Sequence, residues 1–156
     1  MIFSIFTVIL TERNHNKMSL PQQDCSLNCD ITNPDVLQFV LDGKDMLLIK
    51  SYKVPPKSLL SVVKVCCLLL GYEPYADASW QEYVKFMVSR DMRSSMQELN
   101  PSSISASQIE RCRAVIDDNP DTFSKMVEQS GSEVICKMSK WCMAIIECAE
   151  YCQVVL

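Results

Sequence analysis

The chain has 156 residues, 48% of them apolar and 22% charged. That is the size and balance of one ordinary globular domain with a real core, and it excludes a disordered tail, a rod and a multi-domain enzyme. The net charge of −4 gives no overall attraction to nucleic acid or to an acidic membrane, so an acidic partner would have to be met by a local patch.

Three glycines leave little material for tight hairpins or phosphate-cradling loops and favour helices joined by Pro- or Ser-started turns. Met1 to Leu10 (MIFSIFTVIL) is apolar but too short to span a bilayer. With neither a basic flank nor a cleavage signal it is a weak match to a signal sequence, and reads better as an appended strand or an untidy start, with Met18 available as a later start. Residues 11–34 are polar, and Pro21 and Asn33-Pro34 mark a linker. Asn33 and Pro34 predict a short helix through Val36, Leu37, Phe39, Val40 and Leu41, ended by Gly43. Residues 1–43 thus form an irregular N-terminal arm with one short helix, and residues 44–156 form the domain. Met46, Leu47, Leu48 and Ile49 are compatible with a helix end.

Pro55-Pro56 then breaks the chain. The spacing of Leu59, Leu60, Val62, Val63, Val65, Cys66, Leu69 and Leu70 predicts a helix from Pro56 to about Leu70, capped by Gly71. Lys57, Ser58, Ser61 and Lys64 are its expected outer positions. A helix from Ser79 carries Trp80, Tyr83, Val84, Phe86 and Met87. A short turn holds Met92, Met96 and Leu99, and Asn100-Pro101 punctuates it. Ser105 or Ser107 caps a helix over 109–116, which Asp117-Asp118-Asn119-Pro120 stops. A short turn contains Phe123 and Met126. The longest helix is expected over 132–154, with Val134, Ile135, Met138, Trp141, Cys142, Ile145, Ile146 and Cys148 apolar. This is an all-α fold of about six helices. Its expected core includes Leu59, Val63, Cys66, Leu70, Trp80, Val84, Ile109, Ile116, Met138, Trp141 and Ile145.

Nine cysteines suggest a disulfide scaffold until their placement is read. Cys66, Cys67, Cys112, Cys136, Cys142, Cys148 and Cys152 lie in apolar or helical stretches, the count is odd, and the chain is too large to need staples. Reduced thiols acting as small hydrophobes are the better reading. Cys25 and Cys29, like Cys148 and Cys152, have no CxxC partner, and the single His15 lies far off, so no metal or other cofactor is expected. Phosphate, metalloprotease and nucleophile-elbow motifs are absent. One histidine removes the usual general base, and Asp117, Asp118 and Asp121 read as a solvated turn. An enzyme is not expected.

Ile49-Lys50-Ser51-Tyr52, Pro55-Pro56, Leu59-Leu60, Val63 through Cys67 and Leu68-Leu69-Leu70-Gly71 occur in that order. With Trp80, Val84-Lys85, Met96 through Ile104, and Trp141, Ala144 and Tyr151 in the last helix, residues 45 to 152 resemble the microtubule-binding domain at the tip of the dynein heavy-chain stalk. The resemblance implies a small helical bundle that grips tubulin, flanked by stubs of two stalk helices. It implies a fragment or diverged copy of the tip, with the ATPase ring lying elsewhere in a larger polypeptide. The implied partners are tubulin and the remainder of a dynein heavy chain, with no nucleic acid and no membrane. The implied setting is the cytoplasm and cytoskeleton, including a cilium or axoneme.

Under this reading the tubulin-facing residues are Lys57, Ser61, Lys64, Arg90, Arg93, Lys137 and Lys140. From Asp45 to Leu156, twelve Lys or Arg stand against fourteen Asp or Glu, a net of −2. Affinity for acidic tubulin would therefore rest on a local face and fall with salt. Two other readings stay open. One is a helical adaptor or remnant that packs through Cys- and Met-rich surface, and the other is a small thiol or metal protein.

Overall fold

The structure is a computed structural model that describes residues 34–73, 78–124 and 132–155. The N-terminal segment, with His15, Cys25 and Cys29, lies outside the described residues, as does Met126. The described residues are all-helical, with no strand. Six helices of at least seven residues follow a single turn, α1 (Pro34–Leu37): α2 (Gly43–Ser51), α3 (Lys57–Leu69), α4 (Trp80–Val88), α5 (Met92–Glu98), α6 (Ala106–Asp118) and α7 (Glu133–Val155). Two 3-10 turns, Pro101–Ser103 and Pro120–Phe123, flank α6.

Side-chain caps set most of the boundaries. Asp42 accepts from the amides of Lys44 and Asp45, and Asp45 returns the bond to the Asp42 amide at 2.9 Å. This reciprocal box starts α2, so Gly43 opens this helix and does not close the preceding one. The expected helix over 34–41 is correspondingly a single turn. A reciprocal box consumes two orphan N–H groups at once, which outweighs the weak stop signal of one glycine. Ser79 with Glu82 and Ser105 with Gln108 form the same box at α4 and α6. Asp91 starts α5 by accepting from Ser94, making a true helix of what the sequence suggested was a turn.

Pro55-Pro56 and Gly71 bracket α3 as expected. Gly71 has φ +89°, a region that costs a side chain about 1–2 kcal/mol. The Tyr72 and Gly71 amides donate back to Cys67 and Leu68 at 2.9 and 3.1 Å, the paired bonds that close a helix through a left-handed residue.

α3 runs through the middle of the bundle, packed by α4, α6, α7 and the Pro120–Phe123 turn. Nine of its thirteen residues are buried, so the face left open to solvent is narrow. α7 lies along α3, α6 and both 3-10 turns. Trp141, Met138, Ile145 and Ile146 are buried at its centre. Of the expected core, Leu70 and Val84 are half-buried at its edge and the remainder is inside. Val40 and Leu41 are buried in the same core, so the packed body extends back before residue 44.

Candidate functional site

The seven residues expected to face tubulin divide into two groups. Lys57 and Arg93 are exposed, and Lys64 and Lys140 are half-buried at the surface. Lys140 holds its ammonium 5.4 Å from the Phe39 ring centroid. Ser61, Arg90 and Lys137 are turned into the fold.

Ser61 is 4% exposed, and its hydroxyl donates to the Lys57 carbonyl at 2.8 Å. The i, i+4 spacing does align Ser61 with Lys57 along α3, but the packing around this helix closes over position 61. The open strip of α3 is instead Lys57, Leu60 and Lys64, at i, i+3 and i+7. Ser61 is therefore removed from the expected surface.

Arg90 is also turned inward. Its guanidinium stacks on Phe86 at 3.9 Å and donates to the Leu70 carbonyl at 3.3 Å. Phe86 in turn stacks on Tyr72 with centroids 4.4 Å apart. The cation thus closes the C-terminal end of α3, where exposed carbonyls carry partial negative charge. Its Nε is buried without a hydrogen-bond partner.

Lys137 donates to Asp45 Oδ2 at 2.6 Å and lies 3.9 Å from Asp42 Oδ2. An ammonium held that closely by an 11%-exposed carboxylate is a tie between α7 and α2, not a surface charge awaiting a partner. Sequence spacing could not reveal this pair, because the two residues are 92 positions apart.

α2 and its exit carry the charges that the sequence reading passed over. Lys44, Lys50 and Lys53 are exposed and lead directly to Lys57. The signal was present as four lysines within fourteen residues.

The thiols are built into the interior. Cys112 and Cys142 point their Sγ atoms at the α3 carbonyls of Val65 and Val62, at 3.9 and 4.0 Å. Cys66 and Cys67 are buried beside them, and none of the seven described cysteines is in a disulfide. Burial pushes the Cys112 thiol up to about 12 and raises Cys67 and Cys142 as well. That direction disfavours thiolate and so weakens each of them as a nucleophile. Among the described residues, no group of three or more His, Cys, Asp or Glu is placed to hold a metal ion. No described helix is long and apolar enough to cross a membrane.

One buried acid was not foreseen. Glu147 on α7 is 5% exposed, and its Oε1 has no hydrogen-bond partner. Desolvation lifts its pKa to about 7, helped by Glu150 and opposed by Arg113. Arg113 is committed to Glu150 by two bonds, at 2.7 and 2.8 Å, that join α6 to α7. Glu147 lies inside a run of apolar α7 residues, three before Glu150, and that run does not mark which of the two acids is enclosed.

No family model and no curated protein matches the chain.

Proposed function

We propose that this domain is a microtubule-binding module of the dynein stalk-tip type, part of or derived from a microtubule-based motor. The observation that carries the reading is the Pro55-Pro56 corner followed by α3, whose single open strip presents Lys57 and Lys64 on either side of Leu60. An apolar side chain between two cations suits an acidic, ridged acceptor, because the charges steer association and the central side chain is desolvated on contact. The sequence resemblance over residues 45 to 152 supplies the identity of that acceptor. Arg93 and Lys140 are the flanking charges. Arg90, Lys137 and Ser61 support the fold behind the strip.

The test is cosedimentation with polymerised tubulin at low and high salt. The wild-type chain should pellet at low salt and be released as salt rises. Lys57→Glu with Lys64→Glu should abolish pelleting while helicity and melting temperature stay nearly unchanged, and Lys85→Glu should do far less. A folded wild-type chain that stays in the supernatant at low salt defeats the reading. The second reading, a remnant of the fold that has lost binding, is favoured by one observation: Ser61, Arg90, Lys137 and Lys140, four of the seven expected contact residues, make contacts within the domain.

A further inference from the structure

We propose that α2 and its exit, residues 44–57, form a peripheral docking surface for an anionic lipid bilayer. Five large apolar side chains are exposed among the described residues, and three of them fall here: Leu47 at 68%, Leu48 at 41% and Val54 at 85%. Lys44, Lys50, Lys53 and Lys57 are all exposed around them. Along α2, Leu47 stands three residues from both Lys44 and Lys50, so these cations flank it on the outward face, and Leu48, four from Lys44, lies at the edge of that face. Ile49 and Asp45 turn to the opposite side and hold the helix to the bundle.

The local charge is not cancelled. Two acids adjoin the four lysines, Asp45, whose carboxylate is bound at 2.6 Å by Lys137, and the N-cap Asp42, 3.9 Å from the same ammonium, so a positive excess remains. In a chain with a net charge of −4, this is a confined positive field, so attraction to an acidic surface has to act through it. Clusters of four or more lysines beside apolar side chains are the pattern by which anionic headgroups are read.

The chemistry of the patch separates a bilayer from an acidic protein. Here every cation is a lysine, a mobile point charge on a flexible stem. The apolar groups are separate aliphatic protrusions at a helix and its exit. A fluid acceptor can take up such protrusions individually, whereas a protein needs a shaped pocket for each. Lys57 also belongs to the strip of the microtubule reading, so the test leaves Lys57 and Lys64 unaltered and reads the rest of the patch.

The experiment is sedimentation of the full chain with large vesicles, either zwitterionic phosphatidylcholine alone or phosphatidylcholine carrying about a third phosphatidylserine. The expected result is binding to the anionic vesicles only, weakening as salt rises. Lys44→Gln, Lys50→Gln and Lys53→Gln together should weaken partitioning on the order of a hundredfold. Leu47→Ser with Val54→Ser should weaken it by about tenfold or more at unchanged charge. Both variants alter exposed side chains, and an unchanged circular dichroism melt confirms that each is folded. Equal binding to zwitterionic vesicles overturns the proposal, as does binding that survives both variants, which would place the contact elsewhere in the chain. Absence of binding at low salt overturns it too. So does a triple-lysine variant that loses microtubule binding when the wild type never bound vesicles, since the patch would then serve an acidic protein.

Discussion

Lys137 and Asp45 form a half-buried ion pair, 2.6 Å from Nζ to Oδ2, between the first third of the longest helix and the third residue of α2. Asp45 serves two structures at once, because the same carboxylate oxygen also accepts from the Asp42 amide that begins α2. Its removal therefore breaks a cap and leaves an ammonium without its anion.

Asp45→Ala should cost about 2–4 kcal/mol, the sum of a lost cap and an ammonium left with only Asp42 at 3.9 Å. Lys137→Met should cost less, because the methionine retains the apolar stem. The double variant should be more stable than the sum of the two single losses predicts. Urea denaturation of the four proteins reads the coupling directly, and additive losses would show that the pair contributes nothing. Charge reversal at Lys137 is for the same reason a test of folding before it is a test of binding.

Glu147 sets a pH dependence of a definite sign. Its folded pKa, about 7, lies above the ordinary carboxylate value of an unfolded chain, so the folded state holds its proton more tightly. The neutral acid is accommodated fully at pH values below the unfolded pKa. That contribution fades as pH rises through 7, where the charged form must be buried or the site must open. Glu147→Gln should stabilise the fold at pH 8 by on the order of 2 kcal/mol, seen as a higher melting temperature, and change it little at pH 4. A variant whose stability tracks the wild type at both pH values would place the buried acid wrongly.

Trp141 is fully buried in the middle of α7, and its Nε1 makes no hydrogen bond. Its contribution is therefore packing. Trp141→Ala should cost about 3–5 kcal/mol through the cavity it leaves. Trp141→Phe should cost much less, because the ring fills most of the space and no hydrogen bond is lost. Equal losses in the two variants would mean that the indole N–H has a partner after all.

The positions of the helices were legible because local chemistry sets them. Pro55-Pro56, Gly71, Ser79, Ser105 and Asn119-Pro120 act within a few residues of themselves, and the apolar period of α3 and α7 is long enough to read. Asp42 and Asp91 are equally local, but each competed with a nearby glycine or a polar run, and α2 and α5 were read as less than they are. The surface was legible only in part. Lys57 and Lys64 stay outside because α3 keeps one strip open at their azimuth. Ser61 is covered by neighbours that arrive from distant parts of the chain. Arg90 and Lys137 found internal acceptors at Leu70 and Asp45, pairings that depend on tertiary placement and leave no trace in spacing. Glu147 shows the same limit from the other side, since nothing in a helical run of apolar residues says which acid will be enclosed.

The buried thiols give a prediction that maps the core cysteine by cysteine. Cys66, Cys67, Cys112 and Cys142 are enclosed between α3, α6 and α7, and Cys112 and Cys142 face backbone carbonyls of α3. Burial raises the pKa of Cys67, Cys112 and Cys142, so at pH 8 almost none of these three is thiolate, the form that reacts with alkylating agents. Cys136, half-buried near the start of α7, is the accessible contrast. Brief treatment with iodoacetamide at pH 8, followed by peptide mass spectrometry, should modify Cys136 and leave the four core thiols nearly untouched. In denaturing urea all five should label at similar rates. If Cys142 labels in the native protein as fast as Cys136, the packing of α7 on α3 opens on the timescale of the reagent, and the central core would not be the closed one that these contacts describe.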